Sequence, residues 1–141
     1  SQDNVFFTSH GSNQVLPIPG GSIGPPGILH IERKRLIRGE RLFERVRIVN
    51  YSRDEVIVLL RFDIDADFHD MFEVRGSKRP ARGRVAPALT NGRSVTYAYD
   101  GLDGLRRTSI VSFSEPPGRL GPQRADFMFM LTPETHFDLY I

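Results

Sequence analysis

Hydrophobic and polar residues alternate along much of the chain from Ile28 onward. The segments 28–37 (ILHIERKRLI), 42–50 (LFERVRIVN) and 55–68 (EVIVLLRFDIDADF) are rich in β-branched and aromatic residues, and their polar residues tend to recur at every second position. Short polar connections separate them at 38–40 and 51–54. This pattern predicts three consecutive strands that form a meander.

The second half of the chain continues in the same way. Further strands are predicted over 84–90, 93–100, 108–115, 124–132 and 136–141, with a hairpin at Asn91-Gly92, because both of these residues tolerate positive φ. No segment combines a helical period with helix caps. The sequence therefore predicts an all-β fold, an antiparallel β-sandwich, as a single domain over 28–141. Residues 1–27, which include GSIGPPG at 21–27, are predicted to be an irregular lead-in.

Two of the predicted strands are apolar on both faces. EVIVLL (55–60) and FMFML (127–131) do not alternate, although a sheet with one solvated face should do so. We therefore expect the outer face of these strands to be covered by a second domain or a subunit.

Composition narrows the possible functions. The 141 residues suit one domain, and they contain no cysteine, which excludes disulfides, cysteine-ligated zinc and a thiol nucleophile. The absence of cysteine also fits a cytoplasmic protein. The net charge of +2 is too small to indicate nucleic-acid binding, and no apolar run approaches the roughly 20 residues of a spanning helix. We expect neither nucleic acid nor a membrane as a partner.

The acidic segment 62–76 (FDIDADFHDMFEVRG) allows three interpretations. A calcium loop of the EF-hand type would need Gly at its sixth position and Glu at its twelfth, which are Phe68 and Val74 here. Paired catalytic carboxylates are possible on any acidic strand, so their spacing discriminates little. We favour the third interpretation, in which Asp63, Asp65 and Asp67 form the charged side of a strand next to the basic residues of neighbouring strands. We accordingly predict no metal, no cofactor and no catalytic residue.

Two other groups of residues have a functional and a structural interpretation. The loop 75–84 (RGSKRPARGR) has five basic residues, which suit phosphate contact, but no aromatic residues lie between them for base stacking. We favour a solvated or interdomain loop. Tyr97, Tyr99, Phe127 and Phe129 lie at strand spacing, and we expect them in the core rather than in a sugar-binding platform.

Three blocks of sequence resemble a known family. They are GILHIER at Gly27–Arg33, LFERVRIVNY at Leu42–Tyr51 and ADFHDMFEVRG at Ala66–Gly76. In this order they resemble the N-terminal β-domain of bacterial glycogen-debranching-enzyme-like proteins, also called amylo-α-1,6-glucosidase-like proteins. The resemblance implies scaffold positions, with no catalytic role, for Arg33, Glu44, Arg45, Asn50, Asp67, Phe68, Asp70, Phe72, Glu73, Arg75 and Gly76.

The same resemblance implies a function. In such proteins the β-domain precedes an (α/α)6 barrel that holds the glycoside-hydrolase carboxylates. This chain would be a non-catalytic accessory domain that packs on its own downstream catalytic domain and borders the α-glucan site. The alternative is an autonomous glucan-binding module. The oligomeric state stays open.

Overall fold

A computed structural model describes residues 6–14, 16–17 and 23–141 of the chain. Its strands are β1 (Phe6–Ser12), β2 (Leu16–Pro17), β3 (Ile23–Gly24), β4 (Leu29–Arg38), β5 (Arg41–Asn50), β6 (Val56–Asp63), β7 (Arg84–Val85), β8 (Leu89–Asn91), β9 (Ser94–Asp100), β10 (Arg106–Ser112), β11 (Arg119–Gly121), β12 (Arg124–Leu131) and β13 (His136–Tyr140). A single helical turn, α1, covers Met71–Val74.

The strands form antiparallel sheets that are not closed into a barrel. The first sheet has the order β1-β4-β5-β13, and the second has the order β11-β12-β6. The third has the order β10-β9-β7, with β8 also paired to β9, while β2 and β3 form a short separate pair. The prediction of an all-β antiparallel sandwich is confirmed.

The core lies between the inner faces of the first and second sheets. Alternate positions of β5, β6, β12 and β13 point into it, as strand periodicity requires. Phe62, Phe113 and Phe127 pack against one another there, with ring centroids 5.3 to 5.9 Å apart. The buried members of this core are Leu29, Val46, Ile48, Val56, Val58, Phe113, Ala125, Phe127, Leu131 and Leu139.

The predicted meander is wrong at its third strand. β4 and β5 pair as expected, but β6 leaves them and pairs with β12 in the second sheet. The inner faces of β5 and β6 are both apolar, and they bury each other by facing across the sandwich rather than by lying side by side in one sheet.

The predicted irregular lead-in is also corrected. Within it, β1 pairs with β4 over seven residues, from Phe6 opposite Leu36 to Ser12 opposite His30. Only Ser9 of this edge strand is partly buried. Because β1 has no buried face, its sequence carries no alternation that could have revealed it.

Hydrogen bonds of the Asn50 side chain connect the end of β5 to the neighbouring turn and to the end of β12. Its side chain is fully buried. The amide nitrogen donates to the carbonyl oxygens of Asp54 at 2.8 Å, Leu131 at 3.1 Å and Thr132 at 3.2 Å. The amide oxygen accepts from the backbone N–H and the hydroxyl of Ser52, at 3.0 and 2.7 Å. One polar side chain thus links the two sheets where the chain crosses between them.

Candidate functional site

The acidic segment begins as the charged side of β6. Phe62 and Ile64 are partly buried while Asp63 and Asp65 are exposed, so the predicted alternation is present. The predicted neighbours are different, however. Asp63 faces Arg124 of β12, at 3.7 Å, because β6 lies in the second sheet and not next to the basic strands.

The basic residues of β4 and β5 instead pair with acidic residues of the first sheet. Arg33 and Arg35 both bind the carboxylate of Glu44, the second at 2.9 Å, and Glu44 is buried. On the opposite face Arg45 binds Glu32 at 2.6 Å. A bidentate pair between Arg47 and Asp138 holds the pKa of the Asp138 carboxyl below its usual value. The ion pairs follow from register, which the sequence alone does not show.

After β6 the acidic segment folds into the helical turn α1. Asp70 precedes it and accepts hydrogen bonds from the backbone N–H groups of Phe72 and Glu73, both at 2.8 Å. Glu73 in return accepts from the backbone N–H of Asp70 at 3.0 Å, which completes a capping box. Gly76 follows with φ of 95°, a conformation that favours glycine. The signal Asp-x-x-Glu followed by Gly was present in the sequence, but a single turn has no helical period.

The basic loop 75–84 folds back over this turn. Arg79 binds the carboxylate of Asp70, and Arg82 lies 3.2 Å from a carboxylate oxygen of Glu73. Arg82 also donates to the carbonyl oxygen of Asp67 at 2.7 Å. Asp70 and Glu73 of the acidic segment are therefore paired with Arg79 and Arg82 of the basic loop.

The cap of α1 gives a prediction on pH. The hydrogen bond from Arg79, together with those from Glu73 and Phe72, lowers the pKa of Asp70. A lowered pKa in the folded state means that the Asp70 carboxylate adds stability above its unfolded pKa of about 3.9, and that this contribution is lost as the pH falls toward the folded value. We expect Asp70→Asn to lower the urea midpoint at pH 7, and the difference from the unmodified chain to shrink as the pH approaches 3. A difference that stays constant with pH would contradict this role.

The four aromatic residues considered for sugar binding lie mostly inside the fold. Tyr97, Tyr99 and Phe127 are buried, and Phe129 is half-buried against Phe137 with ring centroids 4.1 Å apart. The phenol of Tyr97 donates to the carbonyl oxygen of Pro122 at 2.6 Å, and burial raises the pKa of this tyrosine. They are core residues, as the sequence predicted.

Phe68 adopts a backbone conformation that is rare for a bulky side chain. Its φ is 52°, and its ring stacks on that of Tyr99 with centroids 5.5 Å apart. The hydroxyl of Tyr99 accepts from the backbone N–H of Gly83 at 2.8 Å. Through these two contacts on Tyr99, the segment that precedes α1 and the end of the basic loop are both held against β9.

The residues of the resembling blocks do not converge on one site. One group comprises Arg33, Glu44 and Arg45 in the ion pairs of the first sheet, a second is Asn50 alone, and a third surrounds α1 with Asp67, Phe68, Asp70 and Glu73. Phe72 and Arg75 are exposed, and Gly76 ends the turn. Each group supports local structure, and we therefore continue to interpret these residues as scaffold positions.

The outer face of the second sheet presents an apolar patch to solvent. Leu59 lies opposite Met128 and Ile57 opposite Met130 on the two long strands. The exposed fractions are 64% for Leu59, 74% for Met128 and 58% for Met130, while Ile57 is partly buried. Next to the patch, Arg61 donates to Asp126 at 2.9 Å. We call Ile57, Leu59, Met128 and Met130 the apolar patch.

Within the residues that the structure describes, no three His, Asp or Glu side chains are placed to hold one metal ion. The described part of the chain likewise contains no helix long and apolar enough to cross a membrane.

Fold and surfaces together define an antiparallel β-sandwich domain with an uncovered apolar sheet face. A protein-family model described as the N-terminal domain of some glycogen debranching enzymes matches residues 1–141, the whole chain. The chain belongs to this family, and the resemblance noted in the sequence is confirmed. Searches of curated proteins and of solved structures gave no significant match.

Proposed function

We propose that this chain is a non-catalytic accessory domain that packs on the catalytic part of a glycogen debranching enzyme. The observation that carries the proposal is the apolar patch. Large exposed patches of this kind mark interaction sites, and methionine side chains adapt readily to an opposing surface. The Arg61–Asp126 pair at its border resembles the polar rim of an interface.

The finer assignment rests on the family. We infer that the catalytic carboxylates belong to a downstream (α/α)6 barrel, and that the whole protein is a bacterial, cytoplasmic amylo-α-1,6-glucosidase-like hydrolase. The accessory domain then borders the α-glucan site. The pairing of Asp70 with Arg79 and of Glu73 with Arg82 supports this division of roles, because both carboxylates take part in structural contacts around α1.

The alternative of an autonomous glucan-binding module needs aromatic rings that sugars can reach. Tyr97, Tyr99 and Phe127 are buried, and Phe129 is covered in part by Phe137. These four rings cannot form such a platform. Because Tyr51 and Tyr140 are exposed elsewhere on the domain, the apolar patch, rather than a lack of accessible rings, carries our preference for the packing function.

The proposal predicts that charge placed on the apolar patch will damage the full-length enzyme more than the domain itself. We expect Leu59→Glu with Met128→Lys to leave the unfolding midpoint of the isolated domain nearly unchanged, because both side chains are exposed and the two opposite charges face each other across the strands. In the full-length enzyme the same pair should separate the melting of this domain from that of the barrel and reduce hydrolysis of branched α-glucan.

The control is Leu102→Lys with Leu105→Glu, which places the same two charges on exposed leucines outside the patch. Differential scanning calorimetry of the three full-length proteins makes the comparison. Identical melting profiles for the patch variant and the control would refute packing through the patch.

A further inference from the structure

The end of the β4–β5 hairpin exposes apolar side chains on both of its faces. We call residues 36–43, together with the adjoining start of β1, the hairpin end. Cross-strand register places Ile37 opposite Leu42 on the inner face, with Phe7 two positions along that face next to Arg35. The outer face carries a row across three strands: Phe6, Leu36 and Phe43.

All of these side chains except Leu36, which is partly buried, are open to solvent. On the inner face the exposed fractions of Phe7, Ile37 and Leu42 lie between 56% and 60%. On the outer face Phe6 is 73% exposed and Phe43 46% exposed. Further along the same outer face Glu32, Lys34 and Arg45 are joined by ion pairs, although Tyr140, opposite Arg45, is also exposed. The apolar residues of the outer face are therefore concentrated at the hairpin end.

The hairpin end lies beyond the core of the sandwich. Toward the core, the inner faces of β4 and β5 bury Leu29, Val46 and Ile48. The buried carboxylate of Glu44, held by Arg33 and Arg35, then separates this core from Ile37 and Leu42. The exposed apolar residues of the hairpin end thus lie outside the core, and two-sided exposure of this kind has no benefit for the domain alone.

The charged residues of the turn indicate which side chains a partner should supply. Arg38 lies directly opposite Arg41, and like charges in that relation repel. Within the described residues neither guanidinium has a carboxylate within salt-bridge distance, and Glu40 is the only acid of the turn. A partner that covers this end should supply carboxylates at the turn.

We propose that the hairpin end inserts into an apolar cleft of the remaining part of the same debranching enzyme, with acidic side chains of the cleft facing Arg38 and Arg41. A flat surface could cover only one face of the hairpin, whereas a cleft covers both. This inference rests on the proposed packing function and adds a second contact to it, separate from the apolar patch.

Family membership favours the same polypeptide as the occupant. The family comprises N-terminal domains of debranching enzymes, so the catalytic part belongs to the same polypeptide as the hairpin end. A cleft on that part therefore meets the hairpin end at a high effective concentration.

The test uses the full-length enzyme with one double variant for each face. Ile37→Ser with Leu42→Ser removes the inner apolar pair, and Phe6→Ser with Phe43→Ser removes the two exposed aromatic residues of the outer row. A third variant, Arg38→Gln with Arg41→Gln, removes the turn charges. The control is Leu102→Ser, an exposed leucine in the connection between β9 and β10. Each protein is analysed by calorimetry and by size-exclusion chromatography with light scattering, and each substitution is also made in the isolated domain.

We expect both apolar variants to separate the melting of this domain from that of the catalytic part. The arginine variant should separate the two melting transitions less. Added salt should also change its melting profile less than it changes that of the unmodified enzyme. Leu102→Ser should change nothing, and the isolated domains should melt within about two degrees of one another, because exposed positions affect stability little.

Three results would overturn the inference. If both apolar variants behave like Leu102→Ser, the hairpin end contacts nothing in the enzyme. An effect from one face alone would indicate docking on a flat surface rather than in a cleft. Loss of an oligomer in the variants would identify a second copy as the occupant. If the patch variant of Leu59 and Met128 still uncouples the domains in any of these cases, the packing function stands while the cleft is rejected.

Discussion

Asn50→Ala is expected to lower the free energy of unfolding by about 3–4 kcal/mol, since it removes a buried amide that links both sheets. Each net hydrogen bond contributes about 1 kcal/mol, and each buried partner left unsatisfied costs about 1–3 kcal/mol more. The carbonyl of Leu131 is buried at this contact, so it has no access to water as a replacement. Urea denaturation of the domain measures the loss.

Two further variants separate the contributions of Asn50. Ser52→Ala removes only the hydroxyl bonds at the half-exposed side of the cluster and should cost about 1 kcal/mol or less. Asn50→Asp keeps the shape but places a carboxylate against the carbonyl oxygens of Asp54, Leu131 and Thr132, so it should be at least as damaging as Asn50→Ala at pH 7. If all three substitutions lower the free energy of unfolding by equally small amounts, the Asn50 amide does not stabilise the contact between the sheets.

Neighbouring residues of β6 should respond in opposite ways to truncation. Phe62→Ala is expected to cost about 3 kcal/mol, through lost transfer energy and the cavity left against Phe113 and Phe127. Asp63→Asn should change stability by no more than about 0.5 kcal/mol, because its side chain is exposed and its distance to Arg124 is long.

Chemical denaturation of both variants under the same conditions decides whether the acidic face is solvated. The two proteins differ at adjacent positions of one strand, so effects on expression or on the unfolded chain are closely matched. A loss for Asp63→Asn that equals the loss for Phe62→Ala would show that the acidic side of β6 is covered within the domain itself.

Strand positions and faces followed from the sequence because they depend on local alternation. β5 and β9 match their predicted segments closely. The predicted hairpin also forms, but its two turn residues are Gly92 and Arg93, because Asn91 is paired to Ser94 and only Gly92 has a positive φ. The buried and exposed sides of β6 were also predictable, since a period of two fixes them wherever one face meets a core.

Strand pairing was not predictable in the same way because it depends on contacts distant in sequence. The partner of β6 lies more than sixty positions away in β12, and the edge strand β1 is held by backbone hydrogen bonds that leave no side-chain pattern. The ion pairs of Arg33 and Arg35 with Glu44 follow from register in turn, so the sequence placed these arginines next to the wrong acids.

The chain carries its own probes for the proposed contact. Of its three methionines, Met128 and Met130 lie in the apolar patch, whereas Met71 lies on α1 and is 58% exposed. Oxidation of methionine to the sulfoxide depends on access of the oxidant, so the three rates report on three positions in one experiment.

Oxidation of the native full-length enzyme by dilute hydrogen peroxide, followed by peptide mass spectrometry, therefore tests most directly whether the domain packs through the apolar patch. Rates in the isolated domain and in the urea-unfolded enzyme serve as references. If the patch is covered, Met128 and Met130 in the native enzyme will oxidise about tenfold or more slowly than in the isolated domain, where both are exposed. If they oxidise as fast in the native enzyme as in the isolated domain, the apolar patch is open in the whole protein and the proposed packing is wrong.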